Sequence, residues 1–202
     1  MTRIKLCGIT ELDTMDAVNE LKPEYIGFVF AKKSKRFLTP ETAGELKKRL
    51  APGTQAVGVF VDAPMEQVAE LLNKGVIDIA QLHGREDEAY IQRLRCLTDK
   101  PIIKAFVISG REEVESIEEC SADFVLVDSG AGSGKAFDWS LTKEIRRPFF
   151  LAGGLDAENV GEAVRQIHPY AVDVSSGIET VGHKDKEKMA AFVAAVRKYK
   201  VD

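Results

Sequence analysis

Basic residues do not dominate this chain. Lysine and arginine number 28 against 32 acids in 202 residues, a formal net charge of −4. That balance argues against a nucleic-acid partner held by broad phosphate attraction, though a local positive patch could still take one small anion. Histidine is scarce, with three residues and no i, i+4 pair, and the three cysteines, Cys7, Cys96 and Cys120, lack any zinc spacing. No metal and no cofactor are therefore expected. Unpatterned thiols suit a reducing compartment. The N-terminus carries no signal-peptide pattern, and no apolar run approaches the roughly 20 residues of a membrane span. These absences point to a cytoplasmic protein with no membrane partner. A P-loop is missing too: Ser129-Gly130-Ala131-Gly132-Ser133-Gly134-Lys135 is rich in glycine but lacks the Gly-x-x-x-x-Gly-Lys-Ser/Thr order. It reads as a loop of small residues able to fold over a substrate.

What is present is alternation. Strand-like runs at Ile4–Cys7, Tyr25–Phe30, Ala56–Val61, Ile77–Leu82, Ile102–Val107, Phe124–Val127, Phe149–Ala152 and Ala171–Val174 are separated by helix-like segments. Thr39-Pro40-Glu41 has the chemistry of a helix start, an N-cap followed by proline at the first helical position. Thr10 and Glu86 suggest two further helix starts, and Ser140–Ile145 a short helix. Several strands are continuous apolar runs, as expected of a parallel sheet covered on both faces. Eight units of about 25 residues predict one α/β domain, a (β/α)8 or TIM barrel spanning residues 1–202. An open doubly wound sheet usually places its phosphate-binding glycines after the first strand. Here that loop has only Gly8, and the glycines cluster late.

In such a barrel the chemistry gathers at the C-terminal ends of the strands. The turns Ala152-Gly153-Gly154-Leu155 and Ser175-Ser176-Gly177 end strands seven and eight. Glycines there let backbone N–H groups approach an anion, so Gly153, Gly154, Ser175, Ser176 and Gly177 are candidates to hold a phosphorylated small molecule. Lys32-Lys33-Ser34-Lys35-Arg36 follows strand two. A solvated charge run is the usual reading of such a stretch, and the functional one is a clamp in which Arg36 grips a carboxylate. Asp128 ends strand six, where a loop hydrogen bond alone would account for it. Cys7 ends strand one, where a free thiol usually packs as a small hydrophobe. Cys96 and Cys120 read as packing residues, His83 as a structural hydrogen-bonder, and Asp173 as a supporting group.

Taken in order, Lys5-Leu6-Cys7-Gly8-Ile9-Thr10, Gly27-Phe28-Val29-Phe30, Ser34-Lys35-Arg36, Gln81-Leu82-His83-Gly84, Val127-Asp128-Ser129, Gly134-Lys135-Ala136-Phe137-Asp138-Trp139, Leu151-Ala152-Gly153-Gly154-Leu155 and Asp173-Val174-Ser175-Ser176-Gly177-Ile178-Glu179 resemble the phosphoribosylanthranilate isomerases along the whole chain. The resemblance implies the third step of tryptophan synthesis from chorismate, an Amadori rearrangement of N-(5-phosphoribosyl)anthranilate to 1-(2-carboxyphenylamino)-1-deoxyribulose 5-phosphate. It implies Cys7 as general base, Asp128 as general acid, Arg36 on the substrate carboxylate, and Gly154 and Ser176-Gly177 in the phosphate turns. A monomer or a homodimer is expected. The related aminoimidazole-carboxamide ribonucleotide isomerases of histidine synthesis run the same rearrangement but typically carry aspartate where this chain has Cys7. A barrel that binds phosphate without catalysis is the other alternative. The chain departs from the family pattern at Ala131 and Ser133 and lacks a proline often found after Glu179.

Overall fold

The computed structural model describes residues 1–108, 110–128 and 141–199. Eight parallel strands close into a barrel in sequence order: β1 (Arg3–Cys7), β2 (Tyr25–Val29), β3 (Gln55–Phe60), β4 (Ile79–Leu82), β5 (Ile102–Val107), β6 (Phe124–Asp128), β7 (Phe149–Ala152) and β8 (Ala171–Val174). Closure is made by β1 against β8, where Lys5 lies opposite Asp173. The expected barrel is therefore the observed fold. Around it run α1 (Leu12–Leu21), α2 (Pro40–Arg49), α3 (Met65–Asn73), α4 (Glu88–Arg95), α5 (Arg111–Glu119), α6 (Val160–Ile167) and α7 (Lys186–Arg197), with a 3-10 turn at Leu141–Glu144 between β6 and β7.

Two cores follow from the two faces of each strand. The larger lies between strands and helices and includes Leu6, Phe28, Phe60 and Phe192. The smaller fills the barrel, with Val57, Ile79, Ile103, Leu126 and Phe150. At its N-terminal end Tyr25, Phe124, Phe150 and Tyr170 pack ring on ring at centroid separations of 5.3 to 5.9 Å. At the C-terminal end Cys7, Val29 and Val59, with Ala31 against them, form a small apolar layer among the described residues. The barrel is thus plugged below and open above, which sets where a ligand can enter.

Helix starts show where local chemistry decided the boundaries. Thr39 caps α2 as expected, its hydroxyl accepting from the N–H of Thr42. Thr10 does not cap α1; Glu11 holds that position without a side-chain cap bond, and its carboxylate turns to His183 at 2.7 Å instead. Glu86 does not open α4. It is buried, accepting from the N–H groups of Asp62 and Gly84 and from Lys104, so Asp87 takes over as the cap. Cys96 is an exposed helix-end residue, not core.

Beyond β8 the chain makes a small hairpin of β9 (Glu179–Thr180) and β10 (His183–Lys184). Its two-residue turn has Val181 at φ 51° and Gly182 at φ 85°. A two-residue turn with both φ positive favours Asn-Gly, and a β-branched residue is strained there. Val181 is 94% exposed, so its side chain contributes no packing to offset that strain. Val181→Asn is expected to stabilise the fold by about 1 kcal/mol, raising the melting temperature by ~2–4 °C. An unchanged melting temperature would show that the turn carries no strain.

Candidate active site

A cavity of about 350 Å³ opens at the C-terminal end of the barrel. Its wall includes Cys7 from β1, Arg36 from the loop after β2, Gln81 and His83 at the end of β4, Asp128 from β6, Gly153 and Gly154 after β7, and Asp173, Ser175 and Ser176 from β8 and its turn. Seven of the eight residues singled out from the sequence meet there. The eighth, Gly177, is not on the wall. A Cβ at Gly177 would collide with the carbonyl oxygen of Leu155, so its glycine lets the turn after β8 lie against the turn after β7. Residues 129–140, which contain the Ser129–Lys135 and Gly134–Trp139 motifs, lie outside the described residues.

Cys7 is only 8% exposed. Its sulfur sits over Gly27, where an added Cβ would come within 2.5 Å of Sγ, so any other residue on β2 would displace the thiol. Beneath it Lys5, two residues back on the same strand face, is completely buried and donates to Asp173 at 2.7 Å. The other Asp173 oxygen is buried without a hydrogen-bond partner among the described residues. Burial pushes the Cys7 thiol up; the Lys5 ammonium pulls it down, Asp173 pushes it up and Lys184 pulls it down, leaving it above its ordinary value. Burial alone would lower the Lys5 ammonium, but Asp173, aided by Cys7, more than offsets this and holds it above the usual lysine range. Cys7 is therefore a thiol whose burial disfavours ionisation, beside a buried cation that favours its thiolate.

Asp128 faces the cavity from the opposite side of the barrel. His83 Nε2 stands 3.6 Å from its carboxylate, and the Gln81 side chain bonds His83 Nδ1 at 2.8 Å. With the amide nitrogen of Gln81 donating to Nδ1, a neutral His83 carries its proton on Nε2 and presents it to Asp128. His83 therefore belongs to the cavity, whereas the sequence alone suggests only a structural hydrogen-bonder.

Arg36 is held more firmly than a solvated charge run would be. Its Nε and Nη2 donate to the two carboxylate oxygens of Glu179, both at 2.6 Å. Glu179 also accepts from Lys184 at 2.6 Å, and Lys184 donates to the Ser175 carbonyl at 2.9 Å. Burial raises the Glu179 carboxyl, and the bonds from Arg36 and Lys184 overcome this to hold it below the usual carboxylate range. The stem of Arg36 lies across Gly8, whose φ of 80° and lack of a Cβ make room for it. Gly153 and Gly154 both have positive φ, at 95° and 63°, and Ser176–Ile178 forms a single 3-10 turn. The two turns offer backbone N–H groups to an anion, and Arg36 lines the same cavity, its stem close to Ser175.

Two side chains tied to the site escape a reading of the sequence: Glu179, which sits inside a motif with no role of its own, and Lys184. Lys5 has one legible signal, its i, i+2 relation to Cys7. The Glu179–Lys184 pairing depends on a hairpin whose turn residues, Val181-Gly182, are a poor match to hairpin rules, so nothing local announces it.

Comparison with known proteins agrees with this geometry. Residues 4–195 match the family model described as N-(5'-phosphoribosyl)anthranilate isomerase. A curated N-(5'-phosphoribosyl)anthranilate isomerase of Endomicrobium trichonymphae is 44% identical over 202 residues, covering 98% of this chain and 99% of that protein. Monomeric forms of the dimeric enzyme from Thermotoga maritima superpose with a TM-score of 0.85 at 33% identity, over 98% of this chain and 100% of that one. A phosphoribosylanthranilate isomerase in complex with reduced 1-(o-carboxyphenylamino)-1-deoxyribulose 5-phosphate superposes with a TM-score of 0.86 at 33% identity, over the same shares. The chain belongs to the phosphoribosylanthranilate isomerase family.

Proposed function

We propose that Cys7 and Asp128 are the general base and general acid of the family's Amadori rearrangement in this chain, an isomerase of tryptophan biosynthesis. The observation that carries the assignment is a thiol on β1 and a carboxyl on β6 lining one cavity, together with Arg36 and two turns rich in glycine and serine. Asp128 protonates the furanose ring oxygen of N-(5-phosphoribosyl)anthranilate. The anilino nitrogen pushes in as the C1′–O bond breaks, giving a protonated Schiff base. The Cys7 thiolate then takes the proton from C2′, and the released electron pair neutralises the iminium as an enolamine. Tautomerisation gives the ketone. Atoms and electrons balance within the substrate, so the reaction consumes no external oxidant or reductant.

The phosphate lies against the turns containing Gly153, Gly154, Ser175 and Ser176, kept in place by Gly177, and the ring carboxylate lies against Arg36. Every residue given a role comes from one chain and one barrel domain, so a monomer or a homodimer serves equally. We infer a cytoplasmic location, supported by three unpaired cysteines; no helix among the described residues is long and apolar enough to cross a membrane.

The direct test generates the substrate in situ and follows loss of its anthranilate fluorescence. No loss above the uncatalysed rate would overturn the assignment. Arg36→Ala is expected to raise KM by about tenfold or more with a smaller change in kcat, because a charge-assisted contact made in both ground and transition state is lost. Unchanged KM and kcat would remove Arg36 from the substrate.

A further inference from the structure

Among the described residues, Arg36 bonds through one side of its guanidinium. Glu179 takes the Nε and Nη2 edge in two parallel bonds, leaving the end edge, Nη1 with the second N–H of Nη2, on a side chain that lines the cavity. A planar fork gripped along one edge presents the other in a fixed direction. Glu179 is itself fixed. Its second interaction is with Lys184, whose side chain is 3% exposed and whose ammonium also donates to the carbonyl of Ser175, in the turn after β8. Ser175 Oγ in turn donates to the carbonyl of Cys7 at 3.2 Å.

The hairpin that carries Glu179 and Lys184 is anchored at several points. Lys188 donates to the Glu179 carbonyl at 2.8 Å, Thr180 bonds Asp185 at 2.6 Å, and His183 bonds Glu11 at 2.7 Å. The charges also follow a pattern. Glu179 alone would cancel Arg36, and Lys184 restores one net positive charge to the group. A pairing that served only to neutralise Arg36 would not need that third, nearly buried member.

We propose that Glu179 is a positioning residue, held by Lys184, which aims the outer edge of Arg36 at the ring carboxylate of the substrate and ties that clamp to the turn that receives the phosphate. The inference rests on the reading of Arg36 as the carboxylate clamp and adds what directs it. It makes recognition of the carboxylate depend on two residues that do not touch it.

Charge and position predict opposite results for Glu179→Gln. Removing a negative charge beside an anion site strengthens anion binding if charge alone matters, and weakens it if Glu179 aims the guanidinium. Two probes separate these effects: reduced 1-(2-carboxyphenylamino)-1-deoxyribulose 5-phosphate, and the same molecule with a plain phenyl ring. Calorimetric titration of Glu179→Gln and of Lys184→Met is expected to show the carboxylated probe weakened about tenfold and the phenyl probe by less than about twofold. Equal weakening of both probes, or no weakening of the carboxylated one, would overturn the proposal. Should Glu179→Gln not fold, Lys184→Met reads the same contrast with the carboxylate in place. Arg36→Ala is titrated in parallel. If it erases the preference for the carboxylated probe while the other two variants keep it, the aiming role falls and the clamp stands. If Arg36→Ala also keeps the preference, the clamp itself falls.

Discussion

Cys7→Ser and Asp128→Asn are each expected to lower kcat by roughly 10²–10⁴-fold, the usual contribution of a positioned acid or base. Both changes keep size, and Cys7 packs only in the small apolar layer at the barrel mouth, so melting temperatures should stay within a few degrees of the parent. The double variant is expected to be little worse than the poorer single one, because acid and base serve one proton circuit and their losses do not add. Wild-type turnover in either single variant would end the acid–base assignment. The pH profile is the sharper part of this prediction. The active form needs a protonated carboxyl at Asp128 and a thiolate at Cys7. A carboxyl ordinarily titrates several units below a thiol, and burial moves Cys7 further up. The active form and the form with the carboxylate ionised and the thiol intact hold the same number of protons and differ only in where one of them sits. kcat/KM is therefore expected to be flat through neutral pH, to fall on the alkaline side as Cys7 ionises, above the ordinary thiol value of 9.0, and to fall on the acid side as a second proton is taken up. A rate that climbed tenfold per pH unit through neutrality would show that the protonated acid is not required.

The barrel is legible in the sequence because eight apolar runs, spaced by helical segments, permit few other topologies. β5, β7 and β8 fall at the boundaries read from their apolar residues alone. Boundaries shift where a side chain has a tertiary partner: Glu86 leaves the start of α4 for Lys104 and two backbone N–H groups, and Glu11 leaves Thr10 no cap to make. The wall of the cavity is legible through the strand-end rule, which selects Cys7, Asp128 and the late turns from their places along the chain. Side chains that act through another residue are not. Glu179 and Lys184 matter through Arg36 and Ser175, and Glu179 lies 143 positions from Arg36 in the chain, so composition carries no trace of that contact. Gly27 is visible only as part of a motif. Its reason, the space a sulfur occupies, exists only once β1 and β2 are paired.

Lys5→Met is expected to produce two large effects of separate origin. The first is on stability. The Lys5 ammonium is fully buried, and its partner Asp173 has one oxygen on Lys5 and the other without a partner among the described residues. Taking away the cation leaves a buried carboxylate uncompensated, a loss of roughly 3–5 kcal/mol against a total stability of about 5–15 kcal/mol. Because the folded chain raises the Lys5 pKa, this stabilisation is fully present below the ordinary lysine value of 10.5 and is lost only as pH rises through the still higher folded value. Urea titrations of parent and variant should thus differ by the same amount throughout the neutral and mildly alkaline range. The second effect is on rate. Lys5 pulls the Cys7 thiol down and Asp173 pushes it up, so losing Lys5 alone moves the alkaline limb of kcat/KM to higher pH. It also lowers the neutral plateau, by about tenfold for each unit of pKa, since the active tautomer becomes that much rarer. Adding Asp173→Asn reverses both signs: the stranded charge is gone, stability is partly recovered, and the limb moves back down. A Lys5→Met variant that unfolds with the parent and keeps its alkaline limb would show that the buried pair and the thiol are independent. Recovery of stability in the double variant without any return of the limb would assign the pair to the fold alone.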